Sequence, residues 1–261
     1  MSQIISSNIV SNNLLMSVDF GNTNTYPGVG TIAKTQVYDR NFEFAYPSYV
    51  AVNSAGGYVD FTRSMVAPKV GGGMRTIPLT GTPMSYDTFL YNNHTWEVWV
   101  KINNINPTNI DGTEGYSMIT CYPGYHAGLM YTSTTLEYQI ISTGPGGLLC
   151  ASWTLGLTGR QINQGQWYQI AVTRSGSVFT PYVNGVQLGT GTINTPINQG
   201  VNTNVLWVAQ AVTNQSPNPP GVSSYVYYAD LSFGLMRMYN AALTATDIAQ
   251  NFNANRMRFN I

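Results

Sequence analysis

Apolar residues in this chain recur at every second position, and nearly every stretch that shows this ends at Gly, Asn or Pro. TWEVWVKI at 95–102, TLEYQIIS at 135–142 and WYQIAVTR at 167–174 are the plainest cases. A period of two places successive side chains on opposite faces of a pleated strand, whereas a helix needs a period near 3.6. The chain therefore reads as strand and turn. Its best-defined block, WYQIAVTRSGSVFTPYVNGVQLGTGTI at 167–193, predicts a three-stranded meander with short turns at Ser175-Gly176 and Asn184-Gly185. In the first of these strands Tyr168, Ile170 and Val172 share one face and Trp167, Gln169 and Thr173 the other, so one side of the sheet is expected to be the more buried.

Helical spacing is met once, in ALTATDIAQNFNANR at 242–256. There Thr244 is placed to cap, Asp247 occupies the reciprocal capping-box position, and Ile248 and Phe252 lie four apart on one face. Two long irregular stretches are expected, 64–85 with its Gly71-Gly72-Gly73 run and the Pro-rich 214–224. The glycine run reads as flexible, and with no Lys-Ser/Thr after it, it is not a phosphate-binding loop. Strand patterns flank both stretches, so neither reads as an interdomain linker. The expected organisation is an N-terminal arm over 1–13 and one domain over 14–261.

Charged residues make up 8% of the chain, 11 basic against 11 acidic, where an average soluble domain carries about 25%. Polarity comes instead from Asn, Thr, Ser, Gln and Gly, and Tyr occurs 18 times. With no surplus of cations to displace counterions, nucleic acid is not an expected partner. Lys34, Lys69, Lys101, Arg160 and Arg237 are scattered, and no apolar run approaches the roughly 18–20 residues that span a bilayer, so membrane insertion is not expected. MSQIISSNIVSNNLLMSVDF has no basic region followed by a long apolar stretch, and no signal peptide is read there. Near-zero net charge removes self-repulsion, which favours a homo-oligomer. Cys121 and Cys150 are too few for a disulfide framework and read as free or structural thiols.

No catalytic residue is assigned. Asp111 and Glu114 in TNIDGTEGY read as a turn, and Asp60, Asp87, Glu97, Glu137 and Asp230 are isolated in sequence. His94 and His126 have no metal-ligand spacing around them, no Gly-x-Ser-x-Gly elbow occurs, and Cys121 has no basic neighbour. Sugar binding asks for aromatic platforms beside neutral amides and hydroxyls. Tyr116, Tyr122, Tyr125 and His126 around one turn, and Tyr225 and Tyr227 beyond the prolines, are the candidates for glycan or partner contact. The competing reading is sheet packing or subunit contact, which suits tyrosine in strands equally well.

Four blocks carry a family resemblance: LLMSVDFGNTNTYPGVGT (14–31), TWEVWVKI (95–102), WYQIAVTRSGSVFTPYVNGVQLGTG (167–191) and YADLSFGLMRMYNAALTATDIAQNFNANRMRF (228–259). In this order the chain resembles the laminin-G-like, or concanavalin A-like, jelly-roll superfamily. The resemblance implies an all-β, two-sheet antiparallel jelly-roll sandwich with one short C-terminal helix. The Tyr-Pro-Gly opening, combined with the Asn-Phe-Asn-x-x-Arg ending and basic-aromatic tail, is more narrowly similar to laminin-G-like proteins of tailed bacteriophage virions. That implies a non-enzymatic structural protein, a capsid decoration or a fibre or tail subunit, made in the host cytoplasm and located in the virion. Its partners would be other capsid or tail proteins, with weak contact to cell-surface glycan. A free carbohydrate-binding lectin-like module is the alternative, and a sandwich-fold glycoside hydrolase the third. Hydrolases of this fold carry Glu-x-Asp-x-x-Glu on one strand, a run this chain lacks. No cofactor is expected. Calcium is the metal the resemblance brings in, with Asp111 and Glu114 its first candidates.

Overall fold

The computed structural model describes residues 9–36, 41–64, 71–77, 93–104, 117–121, 127–131, 136–144, 147–155, 162–192, 206–212 and 226–261. In chain order its strands are β1 (Leu14–Asp19), β2 (Ile32–Lys34), β3 (Asn41–Ala45), β4 (Val50–Asn53), β5 (Tyr58–Phe61), β6 (Gly73–Thr76) and β7 (His94–Ile102). β8 (Ser117–Cys121), β9 (Ala127–Tyr131), β10 (Leu136–Gly144), β11 (Gly147–Leu155), β12 (Trp167–Ser175) and β13 (Val178–Val183) follow. The last are β14 (Val186–Gln187), β15 (Gly191–Thr192), β16 (Trp207–Val208), β17 (Gln210–Val212), β18 (Val226–Tyr228) and β19 (Leu231–Tyr239), and then helix α1 (Ala245–Asn255).

The strands form two large antiparallel sheets and a small one. A nine-stranded sheet runs β14-β13-β12-β7-β19-β5-β4, with β1 added beside β19 and β15 beside β13. An eight-stranded sheet runs β11-β10-β9-β8-β16-β6-β3-β2, and β17 pairs with β18 alone. The meander appears as expected, with left-handed φ at Gly176 (60°), Asn184 (51°) and Gly185 (76°) making its turns. Period-two spacing fills the core: Trp96, Val98 and Val100 of β7, Ile170 and Val172 of β12, and Phe233, Met236 and Met238 of β19 pack in one cluster with Phe42, Phe44, Met74, Ile119, Leu129 and Val208 of the other sheet.

The expectation of one more-buried face fails at the centre of the nine-stranded sheet. Every residue of β19, and every residue of β7 but Lys101, is buried. The reason is α1 with the turns before and after it, which lie over the outer face and cover Ala171, Tyr182, Tyr239, Trp99 and Leu235 with Leu243, Ile248, Phe252 and Phe259. The helix starts where the capping box places it, the Thr244 hydroxyl accepting from the Asp247 N–H and the Asp247 carboxylate from the Thr244 N–H. Residues 1–8 of the arm segment lie outside the described residues. Nearer the domain, the Val10 N–H donates to Asn251 Oδ1 at 2.9 Å and the Asn13 carbonyl accepts from the Asn240 N–H.

Two other expectations change. The stretch 64–85 contains β6, and the glycine run leading into it is packed rather than flexible. A Cβ on Gly72 would lie 2.2 Å from the Tyr49 carbonyl oxygen, and one on Gly71 2.7 Å from the Tyr228 ring. The stretch 214–224 lies outside the described residues. Cys121 and Cys150 sit on β8 and β11, with β9 and β10 between them. That is three strand spacings, about 14 Å, well beyond disulfide reach. Among the described residues no helix is long and apolar enough to cross a membrane.

Candidate functional site

Of the residues singled out in the sequence, Asp111, Glu114, Tyr116, Tyr122, Tyr125, His126 and Tyr225 lie outside the described residues. Tyr227 lies on β18, opposite Ala211 of β17. Its neighbour Tyr228 is buried against Gly71, and burial, with Tyr46 beside it, holds its phenol well above the ordinary tyrosine value. His94 is fully buried and packs beside the Phe179 ring.

What the fold does assemble lies on the outer face of the nine-stranded sheet, around Glu97, which alternation sends away from the core. Glu97 is fully buried, and its carboxylate accepts four hydrogen bonds. Oε1 takes them from Trp99 Nε1 (3.1 Å), Gln169 Nε2 (2.9 Å) and Arg237 Nη1 (3.3 Å), and Oε2 from Asn251 Nδ2 (2.9 Å). Asn251 also donates to the Tyr239 hydroxyl, and Arg237 to Asn255 Oδ1, so one carboxylate joins three strands to the helix. Burial first, and Glu97 second, raise the Tyr239 phenol far above its usual range. This is a structural centre, closed to solvent.

Where the helical cover ends, the same face opens into a surface of different character. One row across four strands reads Trp167, Lys101, Ser232, Asp60. The register of β19 shifts between Phe233 and Leu235, and Gly234, lacking a side chain, leaves a gap that Phe259 and Trp167 fill. Over that gap the Trp167 ring meets Phe259 at 4.5 Å and Tyr58 at 5.3 Å between centroids. Lys101 Nζ stands 5.1 Å from the Tyr58 ring centre and 5.7 Å from that of Trp167. Beside them the Ser232 hydroxyl donates to Asp60, Asn103 Nδ2 donates to Ser232 Oγ at 3.1 Å, and Asn53 Nδ2 donates to the Tyr58 hydroxyl at 2.7 Å. Trp167, Tyr58, Lys101, Asp60 and Asn103 are all half-buried. The patch thus presents aromatic edges, a carboxylate, an amide and an ammonium within one span, the donor and acceptor mixture that hydroxyl-rich molecules require.

Sequence reasoning missed this patch because its members come from β5, β7, β12 and β19, and only strand order brings them together. The one local signal was the alternation that put Trp167 on the face away from Ile170.

Each carboxylate with a described side chain is engaged by a neighbour. Besides Glu97 and Asp60, Asp19 is bound by Arg258 and the Gly21 N–H, Glu43 by Arg75 at 2.6 Å, Asp230 by Arg63 at 3.0 Å, and Asp247 by the helix cap. Among the described residues no three His, Cys, Asp or Glu side chains gather to hold a metal ion.

No curated protein matches the chain. Among solved structures, the binding domain of botulinum neurotoxin serotype D/C is similar with a TM-score of 0.62 at 12% identity, over 93% of this chain and 52% of that one. The serotype C1 binding domain gives 0.61 at 14% identity over 93% and 52%. A sialidase of Trypanosoma rangeli gives 0.57 at 12% identity over 94% of this chain and 33% of that one. The chain therefore spans about half the length of the toxin domains, and at such identities the likeness is one of fold. A family model described as the concanavalin A-like lectin/glucanases superfamily matches residues 82–249, well over half the chain. The laminin-G-like resemblance of the four sequence blocks and the two-sheet sandwich agree with that match, and the chain belongs to this laminin-G family of the concanavalin A-like lectin/glucanase superfamily.

Proposed function

We propose that this chain is a non-enzymatic binding module that holds glycan on the Trp167–Tyr58–Lys101–Asp60 surface, and that it is displayed as a decoration or fibre subunit of a bacteriophage virion. The observation that carries the glycan part is the half-open aromatic row with an ammonium, an amide and a carboxylate beside it. Lectins give the superfamily part of its name, and the similar structures include toxin binding domains and a sialidase. The virion part is supported by the Tyr-Pro-Gly opening with the Asn-Phe-Asn-x-x-Arg ending, and by a net charge of zero, which suits a surface packed against copies of itself. A weak single site becomes effective in an array, because tethering raises the effective concentration of the second contact. The second reading is a free lectin-like module with the same site.

Two measurements test this. Binding of the whole chain to an array of polysaccharides and cell-surface glycans is expected, with about tenfold weaker binding for Lys101→Ala or Asp60→Asn, the scale of one lost charge-assisted contact. Glycan binding unchanged in both variants, or none in the parent chain, overturns the assignment of the site. Immunodetection of the chain in purified phage particles tests the setting. Glycan affinity in a chain absent from particles leaves the free lectin and removes the virion role. Turnover of any glycan overturns the non-enzymatic reading.

A further inference from the structure

A sheet edge offers a row of unpaired N–H and C=O groups, and proteins that stay apart blunt such edges with short strands, charges, proline or bulges. Among the described residues three edges of the two large sheets follow that rule. β14 and β15 have two residues each, β2 has three and carries Lys34, and β4 has four and runs directly into the turn at Gly56-Gly57.

β11 does not follow it. The strand is nine residues long, Gly147–Leu155, and among the described residues it pairs with β10 alone, in unbroken register from Leu136↔Leu155 to Gly144↔Gly147. Its sequence, GLLCASWTL, holds no charge, no proline and no bulge. A strand set antiparallel to itself is self-complementary about a two-fold axis, so such an edge needs no second kind of surface to complete it. The chain's 11 basic and 11 acidic residues leave no net repulsion between copies.

We infer that β11 is the joint through which two copies of this chain pair, edge to edge and antiparallel, so that their eight-stranded sheets run on as one. Roughly nine facing residues supply a ladder of about eight to ten backbone hydrogen bonds across the axis. The pairing stands independently of the glycan and virion readings, since it is formed by the isolated chain.

Native mass measurement of the whole chain at micromolar concentration is expected to show a dimer, and a monomer throughout that range overturns the proposal. Along an antiparallel strand, adjacent residues direct their N–H groups alternately to one neighbour and the other. Of Ala151→Pro and Ser152→Pro, one therefore removes an outward donor from each copy and the other an inward one. The outward variant is expected to weaken the dimer roughly tenfold or more, since each substitution counts twice across the axis, while unfolding as the parent does at dilutions where both are monomeric. A dimer that both variants leave intact sinks the proposal. Amide exchange over 147–155 gives a reading that needs no substitution: outward amides should be protected in proportion to dimer, and protection independent of concentration overturns the joint. Particle association is measured separately, so failure here and failure of the virion role remain distinct.

Discussion

Replacing Glu97 by glutamine tests whether the buried carboxylate is what fastens the helix to the sheet. The substitution keeps shape and one acceptor oxygen, but removes the charge opposite Arg237 and turns a donor toward one of the four donors that Glu97 now satisfies. Both partners are out of water, with 0% of the Glu97 side chain and 3% of the Arg237 side chain exposed. Among the described residues Arg237 Nε has no acceptor, and Asn255 Oδ1 is the other acceptor the guanidinium has. Removing one member of a buried pair costs about 3–5 kcal/mol, and the retained oxygen sets Glu97→Gln near the lower end, at about 3 kcal/mol. With a urea slope of roughly 3 kcal/mol/M for a chain of this size, the midpoint should fall by about 1 M. Trp99, bonded to the same carboxylate, should make indole fluorescence report the change. Arg237→Met combined with Glu97→Gln should cost clearly less than the two changes summed, because the second removes the charge that the first strands. A loss below about 1 kcal/mol for Glu97→Gln, or strict additivity in the double variant, would refute the argument.

Gly72→Ala should lower stability by about 3 kcal/mol or more, read as a fall in Tm by calorimetry, because the added methyl meets the Tyr49 backbone carbonyl at 2.2 Å and neither side is a flexible side-chain end. An unchanged Tm would show that the Tyr49 turn yields freely. Tyr228 and Tyr239 are buried with phenols pushed above their ordinary value of 10.0. Above that pH the unfolded chain releases protons that the folded chain retains. The stability these phenols hold below about pH 10 should therefore drain at up to about 1.4 kcal/mol per pH unit each, and denaturation midpoints constant from about pH 9 to about pH 12 would contradict it.

Strands and caps were legible because their signals are local. The Asn184-Gly185 turn and the Thr244–Asp247 box each lie within four residues, and both stand where the sequence places them. The outer-face centre was not legible, for the opposite reason. Glu97 looked isolated because its partners are Gln169, Arg237 and Asn251, up to 154 residues away. Alternation separates Gln169 and Thr173 from Ile170 and predicts one more-buried face, yet both faces of β12 are buried, because alternation reports polarity and not what later covers it. Gly71-Gly72-Gly73 misled likewise, since a glycine run reads the same whether it is loose or pressed against Tyr49 and Tyr228.

The pairing of β1 with β19 bears on how the protein is made. Strand β1 emerges from the ribosome at Leu14, yet its partner begins at Leu231, and the Val10 N–H waits still longer for Asn251. At roughly 5–20 residues per second, that is about 10–40 s in which β1 exists without the strand it needs. β7 meets β12 sooner but gains β19 only at the end. The nine-stranded sheet therefore closes last at its interior, where β19 joins β7 on one side to β1 and β5 on the other, so nascent chains crowded on one message are exposed to exchanging β1 between neighbours during that interval.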